Sequence, residues 1–246
     1  MNGVFLNIIT VIAGTALGLV FGKLIPERFR QIAFFAIGSC TIAFGAITTV
    51  DGFADLSAGR VGSFAALVLV TSLVSGSLFG ELLRIEQRIE GLGGWLHRLL
   101  KKRFKRGDQA DSSPSTFAEG FMTASIFFCV GAMTVMGSIQ AGLGDPSTLY
   151  LKSLLDGISA IFLTTALGIG VGFSAFSVFI IQGGLAVFAG FLKGFLTSAV
   201  MASISLVGGT MLIALGIDII GIKKMKVGNM LPALLIAVLL GWLLGL

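Results

Sequence analysis

Apolar runs of about twenty residues, separated by short polar joints, recur along most of this 246-residue chain. They cover residues 3–22, 31–50, 61–80, 120–140, 154–173, 176–192, 194–217 and 229–246. A helix rising 1.5 Å per residue needs roughly 20 mostly apolar residues to cross a hydrocarbon core of about 30 Å. The stretch from 154 to 192 is too long for one such helix, and Ser174–Ser177 offers a joint between two. The pattern predicts an all-α polytopic integral membrane bundle of about eight transmembrane helices. Three spans fall in residues 1–80 and five in 119–246, forming a single membrane domain interrupted at 81–118.

The interruption has its own periodicity. Ile85, Ile89, Leu92, Leu96, Leu99 and Leu100 share one helical face, while Arg84, Arg88, Arg98 and Lys101 point elsewhere. Such a pattern predicts a cytoplasmic amphipathic helix lying in the membrane interface. It ends in Lys101, Lys102, Arg103, Lys105 and Arg106, a cluster suited to contact with anionic lipid. A plain topology anchor accounts for the same residues. The following GDQADSSPST reads as a flexible linker.

Composition supports the membrane reading. Hydrophobic residues make up 55% of the chain and charged ones 12%, against about 25% charged in a soluble domain. Glycine, at 35 residues, suits membrane helices whose backbones approach closely. The net charge of +5 is distributed by side of the membrane, so it does not point to nucleic acid. With both termini outside, fourteen of the seventeen Lys and Arg fall in cytoplasmic loops, leaving Arg60, Lys152 and Lys193 outside. That asymmetry is the positive-inside rule, and it requires the even span count. Lys23, Arg28 and Arg30 follow the first run instead of preceding it, so this run is a retained span and not a signal peptide.

Reactive chemistry is sparse. Cys40 and Cys129 sit inside apolar runs and read as small core residues; His97 is the only histidine. No zinc, phosphate-loop or nucleophile-elbow motif occurs, so the expectation is no enzyme, no cofactor and no metal. Glu81, Glu119, Lys152, Asp156 and Asp218 each lie about a turn in from a span end, none near a centre. Lys152 and Asp156 are four apart and share a helix face. They read either as a polar binding element or as an interfacial ion pair that starts a span.

Gln182, followed by Gly183 and Gly184, lies near the middle of a short run. A buried amide beside glycines suits a discontinuous helix with a midplane site. Thr134, Ser138, Gln140, Asn7 and Thr10 are further polar groups in apolar surroundings, each explicable by interhelical hydrogen bonding. Gly14, Gly18 and Gly22, with the pairs Gly76/Gly80, Gly168/Gly172 and Gly241/Gly245, form small-residue ridges. The GIGVG at 168–172 follows no strand, so a nucleotide loop is rejected. A shift of 170 residues aligns Gly14 with Gly184, Lys23 with Lys193 and Gly38 with Gly208. The displacement is five spans, an odd number, as an inverted repeat requires.

EGFMTASIFFCVGAM at 119–133, KSLLDGISA at 152–160, the QGG at Gln182 and IKKMKVGNMLPALL at 222–235 together form a specific combination. With the opening glycine ridge and GELLRIEQRIEGLGGWL, the chain resembles the YqgA/YdfK-like family, the domain of unknown function 554, along essentially its whole length. Asp218 departs from that pattern, in which Asn is more usual. The resemblance implies the bacterial cytoplasmic membrane and supplies no substrate or catalytic residue.

Two functions remain open. One is a transporter or channel for a small solute or ion, with Gln182, Asp156, Lys152, Gln140 and Thr134 lining the site. The other is a membrane scaffold acting through its basic cytoplasmic helix. The expected partners are the lipid bilayer, a small solute or ion, and further copies of the chain.

Overall fold

The computed structural model describes residues 1–22, 27–88, 91, 114–130, 132–192 and 194–245. Every regular element among them is helical. In chain order these are α1 (Asn2–Gly22), α2 (Glu27–Ala58), α3 (Ala65–Leu83), α4 (Pro114–Cys129) and α5 (Ala132–Gly142). Then come α6 (Ser147–Leu167), α7 (Gly170–Val187), the single turn α8 (Ala189–Leu192), α9 (Ser198–Ile220) and α10 (Pro232–Gly245). Seven helical stretches among the described residues are long and apolar enough to cross a membrane, and α4 with α5, bent by 66° at their joint, would be an eighth if the pair forms one broken span. The outer surface carries exposed Phe, Leu, Ile and Val in numbers that only a lipid solvent favours.

Small residues set the packing. A Cβ on Gly14 would stand 2.3 Å from the carbonyl oxygen of Gly157, and one on Gly18 2.5 Å from that of Ile161. Backbone thus meets backbone, and α1 runs parallel to α6 along this seam. Lipid tails are as apolar as Leu, so close van der Waals approach, not escape from water, drives such pairing. Along α2 and α9 the order reverses: Gly38 faces Gly216, Gly45 faces Gly209 and Gly52 faces Leu206. The α3–α10 pair is antiparallel too, Gly76 lying on Ala233 and Gly80 on Asn229. Two packed clusters result. Val11, Leu163 and Val178 fill the one between α1, α6 and α7, while Val207, Met211 and Ala237 fill the one around α9 and α10. Helix α4 joins them, giving Ala124 and Phe128 to the first and Met122 and Ile126 to the second.

These registers place both termini at one end of the bundle, with the loops at 59–61 and 143–146. The turn at Arg84 with the helical residues 85–88, and the loop at 221–226, lie at the other.

Several expectations are corrected. The fifth and sixth spans do not part at Ser174–Ser177, which lies within α7; they part at Gly168–Ile169. Gly168 has φ +72°, a conformation open to glycine and strained for any other residue. The GIGVG run is therefore a tight turn at Gly168–Ile169 followed by the first residues of α7. Cys40 is exposed on the bundle surface and not a core residue, whereas Cys129 is half-buried; both are free thiols. Most of the amphipathic segment, including Lys101, Lys102, Arg103, Lys105 and Arg106, lies outside the described residues, as do Lys23 and Lys193.

Gly14→Val is expected to force α1 off α6 and destabilise the protein by roughly 1–3 kcal/mol, the usual overpacking cost. Thermal unfolding in detergent measures it. The same change at Gly184, where nothing lies within 4 Å of an added Cβ, should be far milder.

Candidate functional site

Lys152 and Asp156 lie on α6, which begins seven residues earlier than the apolar run suggested. The expectation that no charge sits near a span centre is thereby overturned. Asp156 is nine residues from the first residue of α6 and eleven from its last, roughly 13 Å along the helix at 1.5 Å per residue. Both side chains are buried, Lys152 at 6% and Asp156 at 3% exposure. The Lys152 ammonium donates to Asp156 Oδ2 at 2.5 Å. A lone charge at this depth would be prohibitive, and an i,i+4 partner on the same face removes most of that penalty.

The pair is held by one amide from another helix, Asn7, which is itself bonded to a second, Gln182. Asn7 of α1 donates Nδ2 to Asp156 Oδ2 at 2.9 Å and to Gln182 Oε1 of α7 at 3.1 Å. Asn7 and Gln182 are fully buried. Their remaining polar atoms, Asn7 Oδ1 and Gln182 Nε2, have no partner among the described residues. The chain of contacts Lys152–Asp156–Asn7–Gln182 therefore carries one unused acceptor and one unused donor at its buried end. Helix α7 runs unbroken past Gln182, Gly183 and Gly184, so the helix break expected there is absent.

The discontinuous helix lies elsewhere. α4 ends at Cys129 and α5 begins at Ala132, with a bend of 66° between them. Thr134, on the first turn of α5, donates its hydroxyl to the Phe128 carbonyl at 3.0 Å. That bond satisfies one of the carbonyls orphaned by the break. Non-helical backbone at this depth survives only where it is buried or borders a cavity, and here it does border one. A cavity of about 190 Å³ is walled by Phe127, Val130, Met133 and Thr134 on this side. Lys152, Leu155, Asp156 and Ser159 of α6 face it, with Thr41, Phe44 and Thr48 of α2 and Leu212 of α9 lining the rest, and beside the exposed Phe44, Met133 and Leu155 it opens to the bundle surface. A wider cavity of about 790 Å³, lined by Asp55, Met136, Thr148, Met201 and Ser205 among others, adjoins it, and Met133 belongs to both walls.

Of the five residues expected to form the site, Lys152, Asp156 and Gln182 are joined through Asn7, and Thr134 faces the pair across the cavity. Gln140 is not in this wall. Its Oε1 accepts from Thr148 at 2.7 Å, tying α5 to the first turn of α6. Asn7, Thr41, Thr48 and Ser159 were not among the expected residues. Asn7 had a signal, a polar side chain in an apolar run, but nothing in the order of residues linked it to position 156.

Just outside the spans, Asp145 Oδ1 accepts from the Ser147 hydroxyl at 2.7 Å and backbone N–H at 3.1 Å, closing the start of α6. These bonds, the hydroxyl's foremost, hold Asp145 below the usual carboxylate range. The contribution is thus present at neutral pH and lost as pH falls through that lowered value. At the opposite end Glu81 joins Lys226 at 2.7 Å and Asn229 at 2.6 Å, and Asn229 accepts the Glu86 backbone N–H at 2.8 Å. This second polar cluster clamps α3 to the loop before α10. Asp218 accepts the Met225 N–H in the same loop at 3.1 Å.

The model of the family described as protein of unknown function (DUF554) matches residues 2–242. The chain belongs to that family. It is similar to the uncharacterized membrane protein YdfK of Bacillus subtilis (strain 168), with 31% identity over 96% of this chain and 93% of the relative. The uncharacterized protein YqgA of Escherichia coli (strain K12) is 31% identical over 96% of this chain and 94% of its own length. No solved structure matches the chain significantly. For this DUF554 member the family establishes a membrane protein and leaves the use of the cavity to its chemistry.

Removing one partner of a buried ion pair strands the other. Lys152→Met is expected to destabilise the protein by about 3–5 kcal/mol. Adding Asp156→Leu to it should recover much of that loss, a coupling that a double-mutant cycle of thermal unfolding reads directly.

Proposed function

We propose that the protein is a carrier of a small solute or ion across the bacterial cytoplasmic membrane, with Lys152, Asp156, Asn7, Gln182 and Thr134 forming its site. One observation carries the reading: a charge pair buried mid-span borders a cavity at the break in a discontinuous helix. Ionisable residues at this depth are expensive, and where they occur they face a pathway or a partner. Unwound backbone near the midplane serves carriers as a place to bind and release. A packing role alone would explain the pair. It would not explain why the helix break and the hydroxyls of Thr41 and Thr134 meet it at one cavity.

The wider cavity supports a route. It begins near Asp55 and Ser198, at the end that holds both termini, and reaches the inner cavity at Met133. Met133 follows the break directly, so a small rotation of α5 would open or shut this passage. The basic residues at the opposite end favour a cytoplasmic position for it under the positive-inside rule, an orientation in which the route opens outward. The antiparallel α2–α9 packing suits the inverted repeat that the 170-residue shift suggests.

Purified protein in liposomes, screened across amino acids, amines, organic acids and alkali cations, should give saturable flux of at least one solute. Asp156→Asn should lower that flux at least tenfold, and Met133→Trp should lower it without loss of thermal stability. Flux indifferent to both changes places the pathway elsewhere; no flux across the whole panel removes the carrier reading. For orientation, cysteines placed at Arg84 and Lys224 should react with an impermeant maleimide only from the cytoplasmic side.

A further inference from the structure

The inner cavity has unused bonding capacity of both signs. Asp156 Oδ2 takes two donors, but Oδ1 accepts no hydrogen bond from the described residues. Lys152 spends one of its three ammonium protons on Asp156 and makes no other hydrogen bond with the described residues. Thr41 donates its hydroxyl proton to the Ile37 carbonyl at 2.7 Å, as Thr134 does to that of Phe128, so each oxygen has only lone pairs left. The buried amides behind the pair repeat the theme, with Asn7 Oδ1 an unpaired acceptor and Gln182 Nε2 an unpaired donor.

Charge then restricts what can enter. The Lys152–Asp156 pair is neutral, and a net charge added to a low-dielectric site is costly. A lone cation or a lone anion would leave the site with a net charge. A zwitterion would not. Its ammonium would meet Asp156 Oδ1 and the lone pairs of Thr41 and Thr134, while its carboxylate would meet the free protons of Lys152. Apart from the hydroxyls of Thr48 and Ser159, the rest of the wall, Phe44, Phe127, Val130, Met133, Leu155 and Leu212, is apolar. At about 190 Å³ the space equals roughly six waters of about 30 Å³ each, which suits a small organic molecule.

Building on the carrier reading, we infer that the ligand is a small zwitterion of the α-amino-acid class with an apolar side chain, bound between Lys152 and Asp156. It enters with no net uptake or release of protons by the site.

The test uses three probes of nearly one shape on the full-length protein in detergent and in liposomes: leucine, 3-methylbutylamine, which lacks the carboxylate, and 4-methylpentanoate, which lacks the amine. Leucine should bind at least tenfold more tightly than either, and calorimetry in buffers of different ionisation enthalpy should detect no proton exchange. Lys152→Ala should reverse the order, because 3-methylbutylamine then supplies the missing positive charge beside Asp156. Asp156→Ala should in turn favour 4-methylpentanoate. Should wild-type protein take the amine alone as well as leucine and release a proton, the ligand is an organic cation and the inference fails. Preference for the acid or an alkali ion overturns it equally. In each of those cases flux persists and the carrier reading stands, whereas absence of flux for every solute removes the carrier reading itself. Variants that fail to fold leave the wild-type comparison decisive.

Discussion

The bond between Lys152 and Asp156 is the interaction around which the interior is arranged. In hydrocarbon a polar group cannot fall back on water, so each must find its partner within the protein. Two opposite charges one helical turn apart make each other tolerable, yet they still leave lone pairs and protons to be met. Asn7 and Gln182 answer part of that need from two other helices, and the cavity borders what remains. Helix α1 is thereby fixed at one depth against α6 and α7, which lie far from it in the chain.

The small residues and the polar cluster depend on each other. Asn7 reaches Asp156 only because α1 lies close on α6, and it does so because Gly14, Gly18 and Gly157 let the backbones touch. A bulkier seam would separate the helices and lengthen the bond that anchors the carboxylate. The break between α4 and α5 is supported in a similar way. Thr134 covers a freed carbonyl with its own hydroxyl, and the bend opens the space into which Lys152 and Asp156 look. Packing glycines, hydrogen-bonded amides and a broken span thus act on one volume.

Much of the fold was legible in the order of residues. Seven of the eight apolar runs appear as single helical stretches able to cross a membrane and the run at 120–140 as the bent pair α4–α5, because burial in lipid demands length and hydrophobicity that a linear pattern records directly. The alternation of basic and neutral loops fixed an even count of spans, and the helices accordingly bring both termini to one end. Run boundaries were less faithful. α6 starts at Ser147 and not near 154, since Thr148, Tyr150 and Lys152 dilute the apolar signal while still continuing the helix. That shift moved Asp156 from the edge of a span to its middle. The glycines beside Gln182 were read as a break, but a helix interior tolerates glycine when neighbours hold it; the break fell at 130–131 instead.

By itself the sequence determined the solvent, the helical class, the number of crossings and the polar residues held within them. These depend on composition and on local periodicity, which each segment carries alone. Only the tertiary structure decided that position 7 meets 156 and 182, that Gln140 turns to Thr148, and that Thr41 faces the pair from α2. Such meetings depend on which helices pack and at what register. That choice is made between distant segments, through glycine seams whose spacing looks alike on every helix until the partners are in place.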